Sequence, residues 1–383
     1  MKELKEYDIN EVTGFLPDEC LPRLPATFNE WEDLLANARL LIEKDSFRST
    51  IGKLPEFPYN NLIDQKHLRR AFVLISFLSQ CYVWGNGKDD PGPASQLPAI
   101  LANPWIRLSE ELGLNPILCQ ASVVLWNWKK IDPHKSFNLD NIFTLNTCTG
   151  SMDESWFYLV TAAVEGVGGP ILKDMIDLKK AMDDNDDGYV ILKLKSLKDG
   201  LSKIIAILSR MKEKNDPNYF YFQVRPYLRG WDNSKRLPLG LLYGDEDKPR
   251  KYAGGSAAQS SLIQAYDCIL NVSHCPQSRS NTDFLHQMRS YMPYKHRKFL
   301  EDIEKEPCLK TYVKKDRLLE KAYNEVLNEL VNFRNKHIQM VASYITVPGS
   351  NCGNDVTGTG GTSAIPFLKQ IRNETVDAII PNK

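Results

Sequence analysis

The sequence has little of several features that define broad classes of protein. Its 383 residues carry no excess charge, because 48 Lys and Arg balance 48 Asp and Glu. Proteins that bind nucleic acid through its phosphates need a basic surface, so nucleic acid is not expected as a partner. The eight cysteines include no C-x-x-C pair and no framework of the kind that stabilises small secreted domains. Long apolar runs and a signal peptide are also missing, which predicts a cytoplasmic protein without membrane contact.

Strand patterns are scarce too, whereas apolar residues recur at spacings of three and four in nearly every segment. This pattern predicts an all-α, two-lobe fold, with a small helical domain at 1–148 and a large helical domain at 149–383. The boundary lies in the irregular polar stretch 129–153. Helices are predicted at 28–45, 63–84, 98–112, 115–129, 154–166, 171–183, 190–212, 217–230, 256–272, 279–291, 296–304, 316–346 and 363–376.

The longest predicted helix, 316–346, carries a histidine on its apolar face. Asp316 is its expected N-cap, and Pro348-Gly349 should end it. The apolar face consists of Leu319, Tyr323, Val326, Leu330, Phe333, His337, Val341 and Tyr344. A core histidine that bonds to a carbonyl is the commoner case, but imidazole is also the usual protein ligand of haem iron.

Arg334 lies on the same face, one turn before His337. A buried guanidinium needs an anion, because an unpaired charge in an apolar interior costs several kcal/mol, on the order of 3–5. Haem propionates would serve, and Asp267 on another apolar helix is an alternative within the protein. Arg334 and His337, a cation and a possible metal ligand that both point inward, modestly favour a haem site over an ordinary hydrophobic core.

Two further segments have the composition of a ligand pocket. Gly254-Gly255 precede a helix that Ser256 should cap, an arrangement that lets a ligand approach the backbone but is also found in ordinary tight turns. In "DPNYFYFQVRPYLRGW" aromatic residues surround Arg225, and Pro226 should kink or end the helix there. An aromatic amino acid would suit rings plus one fixed cation, although the arginine stem could simply cover aromatic surface.

Read in order, these motifs resemble those of the indoleamine 2,3-dioxygenase family. The resemblance covers nearly the whole chain and rests on "YDINEVTGFLP", "YVWGNG", "VLWNWKKIDP", "RPYLRGW", "AGGSAAQSS" and "GTGGTSAIPFLKQIR". It implies haem b between the two lobes, held mainly by the larger one. It also implies a monomer that inserts O₂ across the indole C2–C3 bond of L-tryptophan and other indoleamines. The product from L-tryptophan would be N-formyl-kynurenine, at the first step of the kynurenine pathway, and an electron donor would keep the iron ferrous.

The resemblance also assigns roles to individual residues. His337 would be the iron ligand, and Arg334 would lie beside a haem propionate. Other positions that would border haem, substrate or both are Phe157, Thr161, Phe220, Arg225, Gly255, Ser256, Ala257 and Thr359. Arg225 would bind the substrate carboxylate, and Arg225, Phe220, Thr161 and Thr359 would be the catalytic group. The glycine-rich segment 348–362 would be a lid that orders over the substrate, or else a mere connector.

This chain departs from the vertebrate pattern at three pocket positions. Thr161 stands where serine is usual, Gln120 where tyrosine is usual and Val123 where cysteine is usual. Thr161 keeps the hydroxyl, so hydrogen bonding on the oxygen side should survive. Three other functions stay open for the same fold: an oxygen-carrying or haem-storing protein, a haem enzyme of secondary metabolism, and a helical scaffold without a cofactor.

Overall fold

A computed structural model of the chain describes residues 1–85, 92–232, 234–274, 281–305, 307–351, 358 and 363–381. The helices among them are α1 Asn29–Ala36, α2 Ala38–Glu43, α3 Phe47–Ile51, α4 Gln65–Trp84, α5 Ala99–Leu112, α6 Met152–Gly166, α7 Gly168–Asp183, α8 Asp187–Ser209, α9 Pro217–Tyr219, α10 Ser261–Ile269, α11 Asn281–Arg289, α12 Tyr294–Lys305, α13 Leu309–Val313, α14 Arg317–Val341, α15 Val347–Asn351 and α16 Ala364–Asp377. The predicted all-α fold is confirmed. The division into domains at residue 148 stays a prediction.

Short strands occur at two places in the described chain. β1 Gln96–Leu97 pairs in parallel with β4 Leu242–Tyr243, and β2 Trp128–Lys130 pairs antiparallel with β3 Ile142–Thr144. The first pair joins a segment of the N-terminal half to one of the C-terminal half. These strands connect helices and do not form a core of their own.

Helix α14 is central to the part of the molecule that holds the site. Asp316 caps it, as predicted, by accepting hydrogen bonds from the amides of Leu318 at 2.7 Å and Leu319 at 3.3 Å. Its predicted apolar face is buried from Leu319 to Phe333, where it packs against α8 and α16. Burial on this face fixes the rotation of α14, and therefore the direction of the residues that come after Phe333.

Several predicted helix boundaries are wrong, and three of them have a clear local reason. The segment 115–129 is mainly irregular and contains a π-helical turn at Ala121–Leu125 before strand β2. Helix α7 begins at Gly168, whereas the prediction placed its start after Pro170. Pro170 is tolerated because it is the third residue of the helix, where a backbone N–H would have no acceptor within the helix. Pro348 likewise falls in the first turn of α15, so the chain stays helical beyond the predicted stop.

The segment with Pro226 was predicted to change course near Arg225, and this is confirmed. A π-helical stretch, Phe220–Val224, passes directly into a 3₁₀ turn, Arg225–Leu228. Two side chains of α4 anchor the end of this turn, because Gln80 Nε2 and Trp84 Nε1 donate to the Arg229 carbonyl at 2.6 and 3.1 Å. The N-terminal half of the chain thus holds the arginine segment in place.

No helix in the described ranges combines the length and the apolar composition needed to cross a bilayer.

Candidate functional site

A cavity of about 300 Å³ lies among α6, α10, α14, α16 and the segment Phe220–Leu228. The described residues of the predicted site all line it: Gln120, Val123, Phe157, Thr161, Phe220, Arg225, Gly255, Ser256, Ala257, Arg334 and His337. Thr359 lies outside the described residues, as does most of the predicted lid. Gly358, the first residue of the "GTGGT" motif, does line the cavity. Residues from both halves of the sequence therefore meet at one space.

His337 presents its imidazole to this cavity from the last turn-and-a-half of α14. Burial, and then the neighbouring positive charge of Arg334, lower the pKa of His337 to about 4, so the ring is neutral at pH 7. The ring stacks on Phe333 with centroids 6.2 Å apart and planes 19° apart. Within the described chain neither ring nitrogen has a hydrogen-bond partner, which leaves a lone pair available to a metal.

Arg334 forms an ion pair with Asp267 of α10, the protein partner that was considered from the sequence. Their side chains are 7% and 10% exposed, so the pair is well shielded from water. Burial would raise the pKa of Asp267, but Arg334 and His274 outweigh it and keep that pKa below its usual value. The Nε of Arg334 is buried and, among the described residues, has no hydrogen-bond acceptor. One donor of this guanidinium is thus left for an anion in the cavity.

Aromatic side chains form one wall of the cavity. The rings of Phe157 and Phe220 have centroids 4.7 Å apart, and Tyr344 meets Phe220 edge-on at 5.8 Å. Arg225 is only 3% exposed and lies with its guanidinium carbon 5.0 Å from the Tyr221 ring centroid. This wall offers apolar faces and one buried cation to a ligand.

The hydroxyl of Thr161 has a partner within its own helix. It donates to the carbonyl of Phe157, four residues earlier, at 2.8 Å. In this position the oxygen can still accept a hydrogen bond from a ligand, but it must leave the Phe157 carbonyl in order to donate one. The predicted hydrogen bond between Thr161 and a ligand on the oxygen side therefore requires that Thr161 either change its rotamer to donate or act as the acceptor.

The glycine pair serves two different purposes. A Cβ at Gly254 would lie 2.2 Å from the Leu228 carbonyl oxygen, so only glycine allows this loop to cross the arginine segment. A Cβ at Gly255 would meet nothing closer than the Leu118 carbonyl oxygen at 4.0 Å, which leaves open space at the cavity edge. Ser256 caps a short 3₁₀ turn, Ala257–Gln259, and α10 itself begins later than predicted, at Ser261.

A carboxyl group to which the sequence pattern gave little weight, Glu165, is also part of the cavity wall. It is 1% exposed and accepts hydrogen bonds from Gln120 Nε2 at 2.8 Å and from the Ser260 hydroxyl. Burial raises the pKa of Glu165 to about 7 despite these bonds. Gln120 is held in turn through its backbone N–H, which donates to Gln259 Oε1 at 3.0 Å.

These features fit an iron porphyrin. A neutral imidazole with a free lone pair suits the iron, the spare N–H of Arg334 suits an acidic side chain of the porphyrin, and the bare backbone at Gly255 leaves room for its edge. An all-α fold with one such histidine in an apolar cavity is typical of haem proteins.

Comparison with known proteins identifies the family. The family model for indoleamine 2,3-dioxygenase matches residues 3–378. The chain is 36% identical to indoleamine 2,3-dioxygenase of Saccharomyces cerevisiae, with 97% of this chain and 93% of the yeast protein covered. It is 36% identical to indoleamine 2,3-dioxygenase 1 of Rattus norvegicus, with 98% and 96% covered. It is 34% identical to indoleamine 2,3-dioxygenase nanC of Aspergillus nanangensis, with 98% and 97% covered. The chain belongs to the indoleamine 2,3-dioxygenase family, whose members are haem-dependent dioxygenases.

Several cavity residues were not found by sequence reasoning. Phe284 and Phe367 come from α11 and α16, and their rings meet at 5.2 Å. Ser260 and Gln264 come from the start of α10. Nothing in the local pattern marks them, because each reaches the cavity only through packing between helices that are distant in sequence.

Proposed function

We propose that this chain inserts both atoms of O₂ across the indole C2–C3 bond of L-tryptophan and releases N-formyl-kynurenine. It would act at the first step of tryptophan catabolism by the kynurenine pathway, as a monomeric cytoplasmic enzyme with haem b and an external electron donor. The observation that carries the proposal is the joint presence, on one cavity, of the neutral imidazole of His337 and the buried guanidinium of Arg225.

Different residues of the chain would bind the cofactor and the substrate. His337 would hold the haem iron, with Arg334 on an acidic side chain and Gly255 to Ala257 along the edge. Ferrous haem, when bound, supplies the binding and activation of O₂. No side chain is proposed as a catalytic base: Glu165 has a pKa of about 7, but its carboxyl group accepts hydrogen bonds from Gln120 and Ser260.

The substrate would be oriented by charge at one end and by shape at the other. Arg225 can bind the carboxylate of an amino acid bidentately, while Phe157 and Phe220 confine a flat aromatic ring. A buried, water-poor cavity strengthens this ion pair and keeps the ring in one orientation towards the iron side. Thr359 and the rest of the predicted lid would complete the exclusion of water.

The direct test is the formation of N-formyl-kynurenine from L-tryptophan by haem-loaded protein under reducing conditions. Tryptamine, which lacks the carboxylate, is the matched substrate control. Arg225→Met should raise KM for L-tryptophan at least about tenfold, since an ion pair in a shielded site is worth more than about 1.4 kcal/mol. The same variant should change KM for tryptamine much less.

The ligand assignment has its own readout. His337→Ala should abolish the Soret band, whereas the exposed His134→Ala should keep it. A Soret band without any N-formyl-kynurenine would favour the oxygen-binding alternative. Full haem content in His337→Ala would show that the wrong ligand has been named.

A further inference from the structure

Four ionisable side chains form a continuous line from the cavity to the C-terminal helix. Arg334 of α14 pairs with Asp267 of α10. The other carboxylate oxygen of Asp267 lies 3.2 Å from His274 Nε2, and His274 Nδ1 lies 2.8 Å from Glu374 of α16. Each side chain in the line is at most 15% exposed, so the line is shielded from water.

His274 is the only member of this line that touches two carboxylates. A neutral imidazole can donate its one N–H to Glu374, whereas the imidazolium also brings a positive charge within 3.2 Å of Asp267, at an Nε2 that has no hydrogen-bond partner among the described residues. Burial, the largest influence, and the charge of Arg334 lower the pKa of His274, but Asp267 and Glu374 together raise it above its usual value. These groups are the charges that face the ring from α10, α14 and α16. The cationic form of the ring is therefore favoured over that of a free imidazole, and it is lost as the pH rises through the elevated pKa.

The charge on His274 decides how strongly Asp267 neutralises Arg334. With His274 protonated, the two cations and two carboxylates of the line cancel. With His274 neutral, the line carries one net negative charge, directly behind the guanidinium whose Nε is left without an acceptor among the described residues at the cavity. An anionic group in the cavity would be held in the first state and repelled in the second.

We propose that His274 is a positioning residue for the cofactor: as a cation between Asp267 and Glu374, it keeps Arg334 competent to hold an acidic side chain of haem. It also links α16, the helix that comes after the glycine-rich segment, to Asp267 of α10, which in turn pairs with Arg334 of the helix that carries His337. The inference rests on the proposed function only in requiring that haem is the cofactor. Tryptophan need not be the substrate.

Haem release is the property to measure. Holoprotein is mixed with excess apomyoglobin as a haem acceptor, and the transfer rate is followed in the Soret region from about pH 6 to about pH 9. For the wild type we expect the rate to rise with pH as His274 loses its proton. His274→Gln should release haem about tenfold faster than the wild type at the lowest pH, a ratio equivalent to about 1.4 kcal/mol, with little further change as the pH rises.

Two more variants make the result decisive. Glu374→Gln removes one of the two carboxylates, so the rise in release rate should move to lower pH. His286→Gln alters an exposed histidine of α11 and should keep the wild-type profile. If His274→Gln, or Glu374→Gln should the former not fold, releases haem with the wild-type rate and pH profile, the inference is wrong while the proposed function stands. If the wild type shows no Soret band, both are wrong.

Discussion

Glu165 is the buried group whose removal should have the most clearly defined consequence. Its carboxyl group lies on the cavity wall between Gln120 and Ser260, with 1% of the residue exposed. Replacement by glutamine keeps the size and one acceptor oxygen for those two donors, but it removes the ability to ionise. The substitution therefore isolates the cost of placing a titratable group at this position.

The size and sign of the effect are set by the two pKa values. The usual pKa of 4.5 applies to the unfolded chain, whereas burial raises the pKa of Glu165 in the folded protein to about 7. The folded state thus binds the proton more tightly, and wild-type stability falls as the pH rises from 4.5 to about 7 and is level above that. The whole difference between the two pKa values corresponds to a loss of about 3 kcal/mol in the free energy of unfolding. Between about pH 5 and pH 8 the stability of Glu165→Gln relative to wild type should increase by about 2 kcal/mol.

Urea unfolding of the haem-free wild type and variant at several pH values between about 5 and about 8 provides the measurement. Other titrating groups are common to both proteins, so the difference in the free energy of unfolding reports on Glu165 alone. Glu110→Gln, at an exposed position of α5, is the matched control for the loss of a carboxyl group. A difference for Glu165→Gln that does not change with pH would refute the reasoning, because it would mean that the folded protein does not perturb this carboxyl.

Two other substitutions have expected outcomes, one in stability and one in turnover. His296 is 1% exposed beside Phe15, and burial lowers the pKa of His296 to about 3, so acid should destabilise the wild type below the usual pKa of 6.5. On going from about pH 7 to about pH 5, His296→Gln should lose about 2 kcal/mol less than wild type in urea unfolding, and equal losses would contradict this. Thr359→Ala should lower the turnover of L-tryptophan far more than it lowers haem content, and unchanged turnover would reject a role in closing the cavity.

The sequence was most informative where a pattern is local and repeated. The face from Leu319 to Phe333 can be read from spacing alone, and it fixes the direction of His337 one turn later. Prediction failed at 115–129, because the position of Gln120 depends on a hydrogen bond to Gln259, 139 residues away. A contact of that kind leaves no trace in the period of apolar residues. The same limit applies to Glu374 and its bond to His274, which form only once α16 has packed in the folded chain.

The charges around the cavity explain why one space could serve two acidic ligands. Arg225 and Arg334 both line it, whereas the carboxylates beside them are each compensated in a different way. Asp267 lies between Arg334 and His274, whose raised pKa favours the cationic form, and Glu165 is about half protonated at pH 7 because its pKa is about 7. Both carboxylates therefore oppose the two guanidinium groups less strongly than free carboxylates would, in a chain whose formal net charge is +0. Under the proposed function, the two guanidinium groups on one cavity are the physical reason to expect a carboxylate on both the cofactor and the substrate, and therefore an amino acid in preference to a neutral indole.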